Sequence, residues 1–304
     1  MYGQETDPGP GFQTVMMHNP AYSGVEGDGT LRLSYMSHYP GNNYNLHSVY
    51  VSYDSYFPLL HGGAGFYLSD DYLGGIVNDV RGGLSYSYFL QAGKEIFINA
   101  GLSASVYYRG FNFGGAVFPD QIDPLGGVIY PSSEIVTATG KTAFDLGAGF
   151  VIIYRNLFGG FSVSHLAEPD LSDGGSSVDR LKRKYNLELS GDLKINSSGN
   201  LSLRPLLFLA MQDGYLSASA GTIFESSYFS VNALVMGDNN KNIDLQTGFS
   251  LTFGQISFFY NYRFSLSSGS SSMPLSLLHQ TGLALRLNKI EKRNDISTII
   301  YPKM

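Results

Sequence analysis

The chain has 304 residues, and charged residues make up only 14% of them, against roughly 25% in a typical soluble domain, so much of its surface is expected to face something other than water. A mean hydropathy of −0.04 and the lack of any run of about 18 consecutive apolar residues exclude a helical membrane protein. The absence of cysteine excludes disulfides and thiolate chemistry, and a net charge of −6 without a dense basic patch excludes a nucleic-acid partner.

The chain begins with a segment, residues 1–28, that shows no strand pattern. Its first ten residues are polar and have neither the basic start nor the apolar stretch of a secretory signal. If the protein is exported, we therefore expect this sequence to be a mature or truncated form, with Gln4 as a plausible first residue.

From residue 29 onward, apolar and polar residues alternate over segments of about 10 residues, which is the length of a membrane-spanning strand. In one example, Tyr185, Leu187 and Leu189 share one face, while Asn186 and Glu188 occupy the other. We predict about 14 such strands, near 29–39, 44–55, 60–69, 80–91, 95–108, 143–153, 157–166, 183–195, 200–211, 215–224, 228–237, 242–253, 256–265 and 277–287.

The placement of charges supports membrane strands. A Lys or Arg that faces lipid at mid-depth costs about 2–4 kcal/mol, whereas one that faces the lumen can be hydrated or paired. Eleven charged residues in these segments fall on the face opposite the apolar one. The predicted lumen charges are Arg32, Arg81, Asp145, Glu188, Asp192, Arg204, Asp244, Arg263 and Arg286, and Lys184 and Lys194 follow the same rule.

The connections between the segments alternate in length, since the even-numbered ones are short and the odd-numbered ones include every long loop. This is the topology of a bacterial outer-membrane barrel, in which an even strand count places both termini in the periplasm. The 22 Tyr and 20 Phe fit aromatic belts at the two lipid–water interfaces. The sequence therefore predicts a closed antiparallel transmembrane β-barrel over 29–287, integral to the outer membrane, with periplasmic segments at 1–28 and 288–304. The last of these could pair with a partner or be a free end.

The loop 109–142 is about 34 residues long, and loops of that size are uncommon unless they are functional or disordered. Its aromatic residues suggest that it folds into the lumen or over the mouth as a plug, and a loosely packed surface loop is the alternative. The candidate plug residues are Phe111, Phe113, Phe118 and Tyr130.

No residue pattern indicates catalysis, a cofactor or a metal. The six histidines, at 18, 38, 47, 61, 165 and 279, lack metal-ligand spacing, and no Gly-x-Ser-x-Gly nucleophile elbow is present. The pairs Asp120/Asp123 and Asp170/Asp173 lack the dense oxygen-ligand spacing of a calcium loop and are interpreted as solvated turn residues.

Several stretches of the chain resemble the PorP/SprF family. Met17 to Gly24 (MHNPAYSG) resembles the Asn-Pro-Ala-Tyr-x-Gly signature near the mature start of that family. Residues 144–169 (FDLGAGFVIIYRNLFGGFSVSHLAEP), 62–75 and 201–211 are similar to its strand segments, so the resemblance runs over nearly the whole chain. One departure is that the family's aromatic and Met-rich stretch before Asn-Pro is shortened here to GPGFQTVMM.

The resemblance implies a non-enzymatic outer-membrane component of the type IX secretion and gliding machinery of Bacteroidetes. Its implied partners are the periplasmic PorK/PorN ring and a peptidoglycan-binding lipoprotein, or a secreted adhesin. The alternative function is a transport barrel for hydrophobic or small solutes. A transporter predicts an N-terminal plug, a lateral opening and an apolar pocket, whereas a scaffold predicts a sealed lumen.

The Asn-Pro-Ala-Tyr motif permits two interpretations. Pro20 restricts Asn19 to extended geometry and could simply fix how the chain enters the first strand. Alternatively, the motif is a docking epitope for a periplasmic partner, formed by Asn19, Pro20, Ala21, Tyr22 and Gly24.

Overall fold

The computed structural model describes residues 14–27, 29–40, 46–113, 117–123, 127–128, 131, 140–172, 179–195, 201–267 and 277–287. Fourteen long strands form the wall of the molecule: β1 Thr30–His38, β2 Leu46–Phe57, β3 Gly62–Leu73, β4 Val77–Gln91, β5 Ile96–Phe111, β6 Lys141–Tyr154, β7 Leu157–Ser164, β8 Lys184–Gly191, β9 Leu201–Gln212, β10 Tyr215–Ser226, β11 Phe229–Asp238, β12 Ile243–Phe253, β13 Ile256–Ser267 and β14 Leu277–Arg286. The two-residue strand Leu193–Lys194 continues β8, and Ile122–Asp123 pairs with Gly127–Val128 outside the wall.

Every strand of the wall pairs antiparallel with its neighbours in sequence, and β1 pairs with β14, from Thr30↔Arg286 to His38↔Leu278. The sheet is therefore closed, and no strand is left with an unpaired edge that lipid could not satisfy. The predicted 14-stranded antiparallel barrel is confirmed, and each predicted boundary lies within four residues of the observed one. Among the described residues, no helix is long and apolar enough to cross a bilayer.

The two faces of the wall differ as the alternation predicts. Along β11, Phe229, Val231 and Val235 are exposed, whereas Ser230 and Asn232 are buried. The exposed outer face carries most of the large apolar side chains of the strands, and the inner face carries Ser, Asn, Gln, Gly and the ionisable residues. This arrangement suits an outer surface in hydrocarbon and a polar lumen.

The barrel has two distinct ends. At one, which we call the turn end, the connections are short, as at 58–61, 92–95, 155–156, 227–228 and 254–255. At the other, the loop end, lie the long connections, including 112–140 and 165–183. Because β1 begins and β14 ends at the turn end, both tails of the barrel leave the wall there.

The described part of the N-terminal segment does not lie outside the barrel, where the sequence had placed it, and the rest of 1–28 lies outside the described residues. Residues 14–27 lie within the lumen, where Thr14, His18, Asn19, Ala21 and Ser23 are all buried. We call these fourteen residues the plug segment. Their apolar side chains pack against the wall, and polar ones such as Asn19 and Glu26 find partners there.

Candidate functional site: the lumen and its plug

The plug segment is built from two short helical turns, Val15–His18 and the 3₁₀ turn Pro20–Tyr22. Asn19 joins them in an extended conformation, and its Oδ1 accepts a hydrogen bond from the backbone nitrogen of Ala21 at 3.0 Å. Pro20 stands at the first position of the second turn, where its missing N–H leaves no donor unsatisfied. The Asn-Pro-Ala motif thus produces a tight corner in the chain.

The wall presents a row of small inner residues to this segment. Successive strands from β3 to β8 place them directly opposite one another, so the row runs across six strands. We call this set the small-residue row: Gly63, Ser87, Gly101, Gly149, Ser162 and Asn186. Since glycine and serine project little from the wall, the row forms a groove inside the lumen.

The plug segment follows the groove from one end to the other. The carbonyl oxygen of His18 accepts hydrogen bonds from Ser162 Oγ and, at 3.1 Å, from Asn186 Nδ2. The carbonyl oxygen of Ser23 accepts a hydrogen bond from Ser87 Oγ at 2.6 Å. The wall therefore satisfies backbone groups that would otherwise be buried without partners.

Two contacts are close enough to require glycine. A Cβ atom on Gly101 would lie 2.3 Å from the nitrogen of Ala21. Gly24 has φ +71, and a Cβ there would lie 2.5 Å from the Cα of Gly63. At both places backbone meets backbone, so neither side can yield by rotating a side chain.

An apolar layer lies next to the row, toward the turn end. Plug residues and wall residues together form one buried cluster, made of Val15, Ala21, Tyr22, Val25, Val151 and Ile153, with Phe89, Phe97 and Phe158 packed against it. This cluster removes apolar surface from water and fills the lumen beside β4 to β7.

Charges fix the end of the plug segment. Glu26 contacts Arg32 at 2.5 Å and Arg286 at 3.6 Å, while Asp54 accepts hydrogen bonds from Arg32 and, at 2.7 Å, from the backbone nitrogen of Gly24. Burial alone would raise the pKa of Glu26, but the charges of Arg32 and Arg286 outweigh it and hold that pKa below its usual value. The anchor thus stays ionised at neutral pH.

On the remaining strands of the wall, inner side chains, mostly amides, form a chain of hydrogen bonds that we call the amide chain. Asn232 donates to Asn261 at 3.0 Å, Asn261 donates to Gln280 at 3.1 Å, and Gln280 donates to Ser34 at 3.2 Å. All four residues are buried. The plug segment and this amide chain thus both place buried, hydrogen-bonded groups inside the lumen.

The loop end is partly closed by the connection between β7 and β8. Leu171 and Leu181 are buried against Tyr107, and Arg109 pairs with Asp79 at 2.7 Å and with Asp179. His165, at the start of this connection, is 1% exposed and lies 2.9 Å from Asp145 and 3.4 Å from the hydroxyl of Tyr107.

The burial of His165 beside Asp145 and Tyr107 predicts that closure of the loop end depends on pH. Burial lowers the pKa of His165 below its usual 6.5, Arg81 acts in the same direction, and the hydrogen bond to Asp145 only partly opposes them. An open form would expose His165 and take up a proton, so closure is complete above about pH 6.5 and weakens as the pH falls. We expect amide hydrogen exchange in 166–171, corrected for intrinsic rates, to be faster at about pH 5 than at about pH 7.5. His165→Gln is expected to abolish the difference, and a variant that retained it would contradict this role.

The structure places all nine predicted lumen charges on the inner face, where several are paired. Arg204 lies 3.6 Å from Asp192 and 3.3 Å from Glu225, and Arg81 lies 4.2 Å from the centre of the Tyr107 ring. Glu188 points inward from β8, and its Oε1 accepts no hydrogen bond from the described residues. Asp244 and Arg263 line a cavity at the loop end.

The motif residues proposed for partner docking lie inside the barrel. Asn19, Pro20, Ala21 and Tyr22 are buried against the wall, and Gly24 contacts Gly63. Asn19 has the extended geometry expected before Pro20, but the motif lies against the lumen wall rather than at the start of the first strand. Docking to a partner stays a prediction, and it would require the plug segment to leave the lumen.

The predicted plug loop is only partly described. Phe111 and Phe113 stack with ring centres 6.1 Å apart, and both are half-buried, as is Phe118. Tyr130 lies outside the described residues. The prediction that this loop forms a plug stays a prediction, whereas residues 14–27, 165–172 and 179–181 provide the observed closures.

The sequence contained a weak signal for the plug segment. Ala21, Ser23 and Gly24 are small residues next to a proline, which is typical of a close backbone approach. The small-residue row itself could not be found, because its members are far apart along the chain. Within the described part of the chain, no three His, Asp or Glu residues are grouped as a metal site would require.

Solved structures resemble the whole fold at low identity. The outer membrane protein Omp33 of Acinetobacter baumannii matches with a TM-score of 0.51 and 9% identity over 87% of this chain and 100% of its own. The CymD monoaromatic hydrocarbon channel gives 0.54 and 11%, over 91% and 93%. The toluene transporter TodX of P. putida gives 0.53 and 12%, over 91% and 95%. At such identities these likenesses show the barrel fold alone.

The family is shown by sequence. No curated protein matches the chain. The family profile described as "Type IX secretion system membrane protein PorP/SprF" matches residues 12–279, which include the plug segment and nearly all of the barrel. The chain therefore belongs to the PorP/SprF family and is an outer-membrane component of the type IX secretion system.

Proposed function

We propose that this protein is a non-enzymatic anchor that ties periplasmic secretion components to the outer membrane. The observation that supports it best is the plug segment, which lies buried inside the lumen and packs against the wall. A barrel closed in this way offers its wall and its ends to partners rather than a passage to solutes. In this proposal the turn end and both termini face the periplasm.

The proposed partners are the PorK/PorN ring and a peptidoglycan-binding lipoprotein, with a secreted adhesin as the alternative. The turn end carries a surface suited to protein contact. Leu59 is 94% exposed at the tip of the 58–61 turn. That turn is held by hydrogen bonds from His61 N to Pro58 O at 3.2 Å and from the Tyr86 hydroxyl to Leu60 O at 2.7 Å.

A photo-crosslinking amino acid at Leu59 tests this proposal in native outer membranes. We expect it to capture periplasmic secretion proteins. The matched control is the same amino acid at Leu84, which is 67% exposed on the outer wall and is expected to reach only lipid. Capture of only lipopolysaccharide and porins from Leu59 would contradict the anchor.

A transport barrel is the second candidate, and the plug segment favours it, because a transporter is expected to have an N-terminal plug. CymD is a monoaromatic hydrocarbon channel and TodX is a toluene transporter. The lumen cavity here is lined by Lys184, Asp244 and Arg263, which does not suit a hydrocarbon. Ion conductance of the intact protein in planar bilayers separates the two, since the anchor predicts none.

A further inference from the structure

We propose that the loop end of the lumen holds a binding site for a small zwitterion, such as an amino acid or a short peptide with free termini. The site is a half-open cavity of about 200 Å³ on the inner face of β8 to β13. This inference is independent of the anchor function. The residues that the argument uses are Lys184, Met236, Asp238, Asp244 and Arg263.

The cavity is open toward the loop end and blind toward the middle of the barrel. The next inner residues along the same strands are Leu234 after Met236, Gln246 after Asp244 and Asn261 after Arg263. These three are at most 1% exposed, so they form a closed floor. A solute that enters can bind there but cannot pass through.

The cation of the site is held in a fixed position. Nε and one terminal nitrogen of Arg263 both donate to the Oε1 atom of Gln246 at 3.2 Å. Gln246 is wholly buried and cannot neutralise the charge. No carboxylate among the described residues pairs with Arg263, so its remaining nitrogen is available to an anion.

The anion of the site is equally available. Asp244 lies on β12, beside the strand of Arg263, and makes no hydrogen bond or ion pair with other described residues. Asp238, in the same cavity, is engaged already, because it accepts hydrogen bonds from Tyr215 at 3.0 Å and from the Asn242 side chain at 2.7 Å. Asp244 is therefore the carboxylate that can receive a ligand.

An acid and a base that share one cavity without pairing match a ligand that carries both charges. The ligand carboxylate would bind Arg263, with the positive Lys184 on the facing wall, and the ligand ammonium would bind Asp244. A cavity of about 200 Å³ is smaller than the roughly 300–1,000 Å³ of pockets for drug-sized ligands, which limits the ligand to one or two small residues.

Titration calorimetry of the purified full chain in detergent with L-alanyl-L-alanine tests the site. We expect binding, and binding at least about tenfold weaker for the N-acetylated and the C-amidated forms, each of which lacks one charge. Asp244→Asn is expected to weaken binding of the dipeptide about tenfold and to leave binding of the N-acetylated form unchanged. Arg263→Gln is expected to weaken binding of the dipeptide by a similar factor and to leave binding of the C-amidated form unchanged.

Asp213→Asn is the matched control, because it removes one carboxylate from an exposed turn at the same end outside the cavity. It is expected to bind the dipeptide as the parent does. Heat-dependent gel mobility of each variant verifies that the barrel has folded. No binding at millimolar dipeptide, equal binding of the three forms, or an equal effect of Asp213→Asn would overturn the proposal.

Discussion

Replacing Gly101 by valine is expected to drive the plug segment from its groove and convert a closed barrel into a conducting one. The new Cβ would lie 2.3 Å from the nitrogen of Ala21 and 2.4 Å from the carbonyl carbon of Pro20. Both are backbone atoms, so the clash cannot be relieved by a rotamer change. The strand of Gly101 is paired on both sides, with β4 and β6, and we therefore expect the plug segment to move rather than the wall.

Two measurements check this expectation. Conductance across planar bilayers should appear in Gly101→Val and be absent in the parent. Because the chain has no cysteine, Ser23→Cys supplies a unique label within the buried plug segment. Its thiol is expected to react at least about tenfold faster in the Gly101→Val background, as a local opening of about 1.4 kcal/mol would produce.

Gly82→Val is the matched control. Gly82 lies on the outer face of β4, where a Cβ would find only a Leu68 methyl group at 3.8 Å. The same substitution there adds the same two methyl groups without touching the plug segment. Equal conductance and equal labelling in the two valine variants would show that the groove does not hold the plug.

The fold could be predicted from the sequence because its signals are local. Residues two apart share a face, so the alternation along 184–190 places Glu188 inward whatever the rest of the barrel does. The same parity placed Arg32, Arg81 and Arg204 on the inner face, where the structure has them. Loop lengths then separated the two ends without any knowledge of contacts.

The closures could not be predicted in the same way. Gly63, Ser87, Gly101 and Gly149 become neighbours only through the register of four strands, which depends on the whole sheet. The loop 109–142 was the predicted plug because of its length and aromatic content. The shorter connection between β7 and β8, however, places Leu171 and Leu181 at the loop end. The contacts of Asn19 and Ala21 likewise need the groove, which no single segment encodes.

Replacing Arg32 by methionine is expected to cost the barrel about 3–5 kcal/mol, since a buried ionic cluster would lose its central cation. Arg32 contacts both Glu26 and Asp54, and all three are largely shielded from solvent. Without the guanidinium, Asp54, whose side chain is 2% exposed, would lose its cation and would remain close to the second carboxylate, Glu26. Urea unfolding of the refolded protein in vesicles measures the loss.

The exposed pair Arg155–Glu95, at 2.8 Å, provides the control, because Arg155→Met removes the same kind of cation from the surface. That change is expected to cost no more than about 1 kcal/mol. A double variant, Arg32→Met with Asp54→Asn, is expected to recover most of the stability, since Arg286 still neutralises Glu26 at 3.6 Å and the remaining carboxylate is removed. If Arg32→Met were no more harmful than Arg155→Met, the cluster would not be what anchors the plug. If Ser23→Cys is labelled faster in the Arg32→Met background but not in the Arg155→Met background, Arg32 holds the plug segment to the first strand.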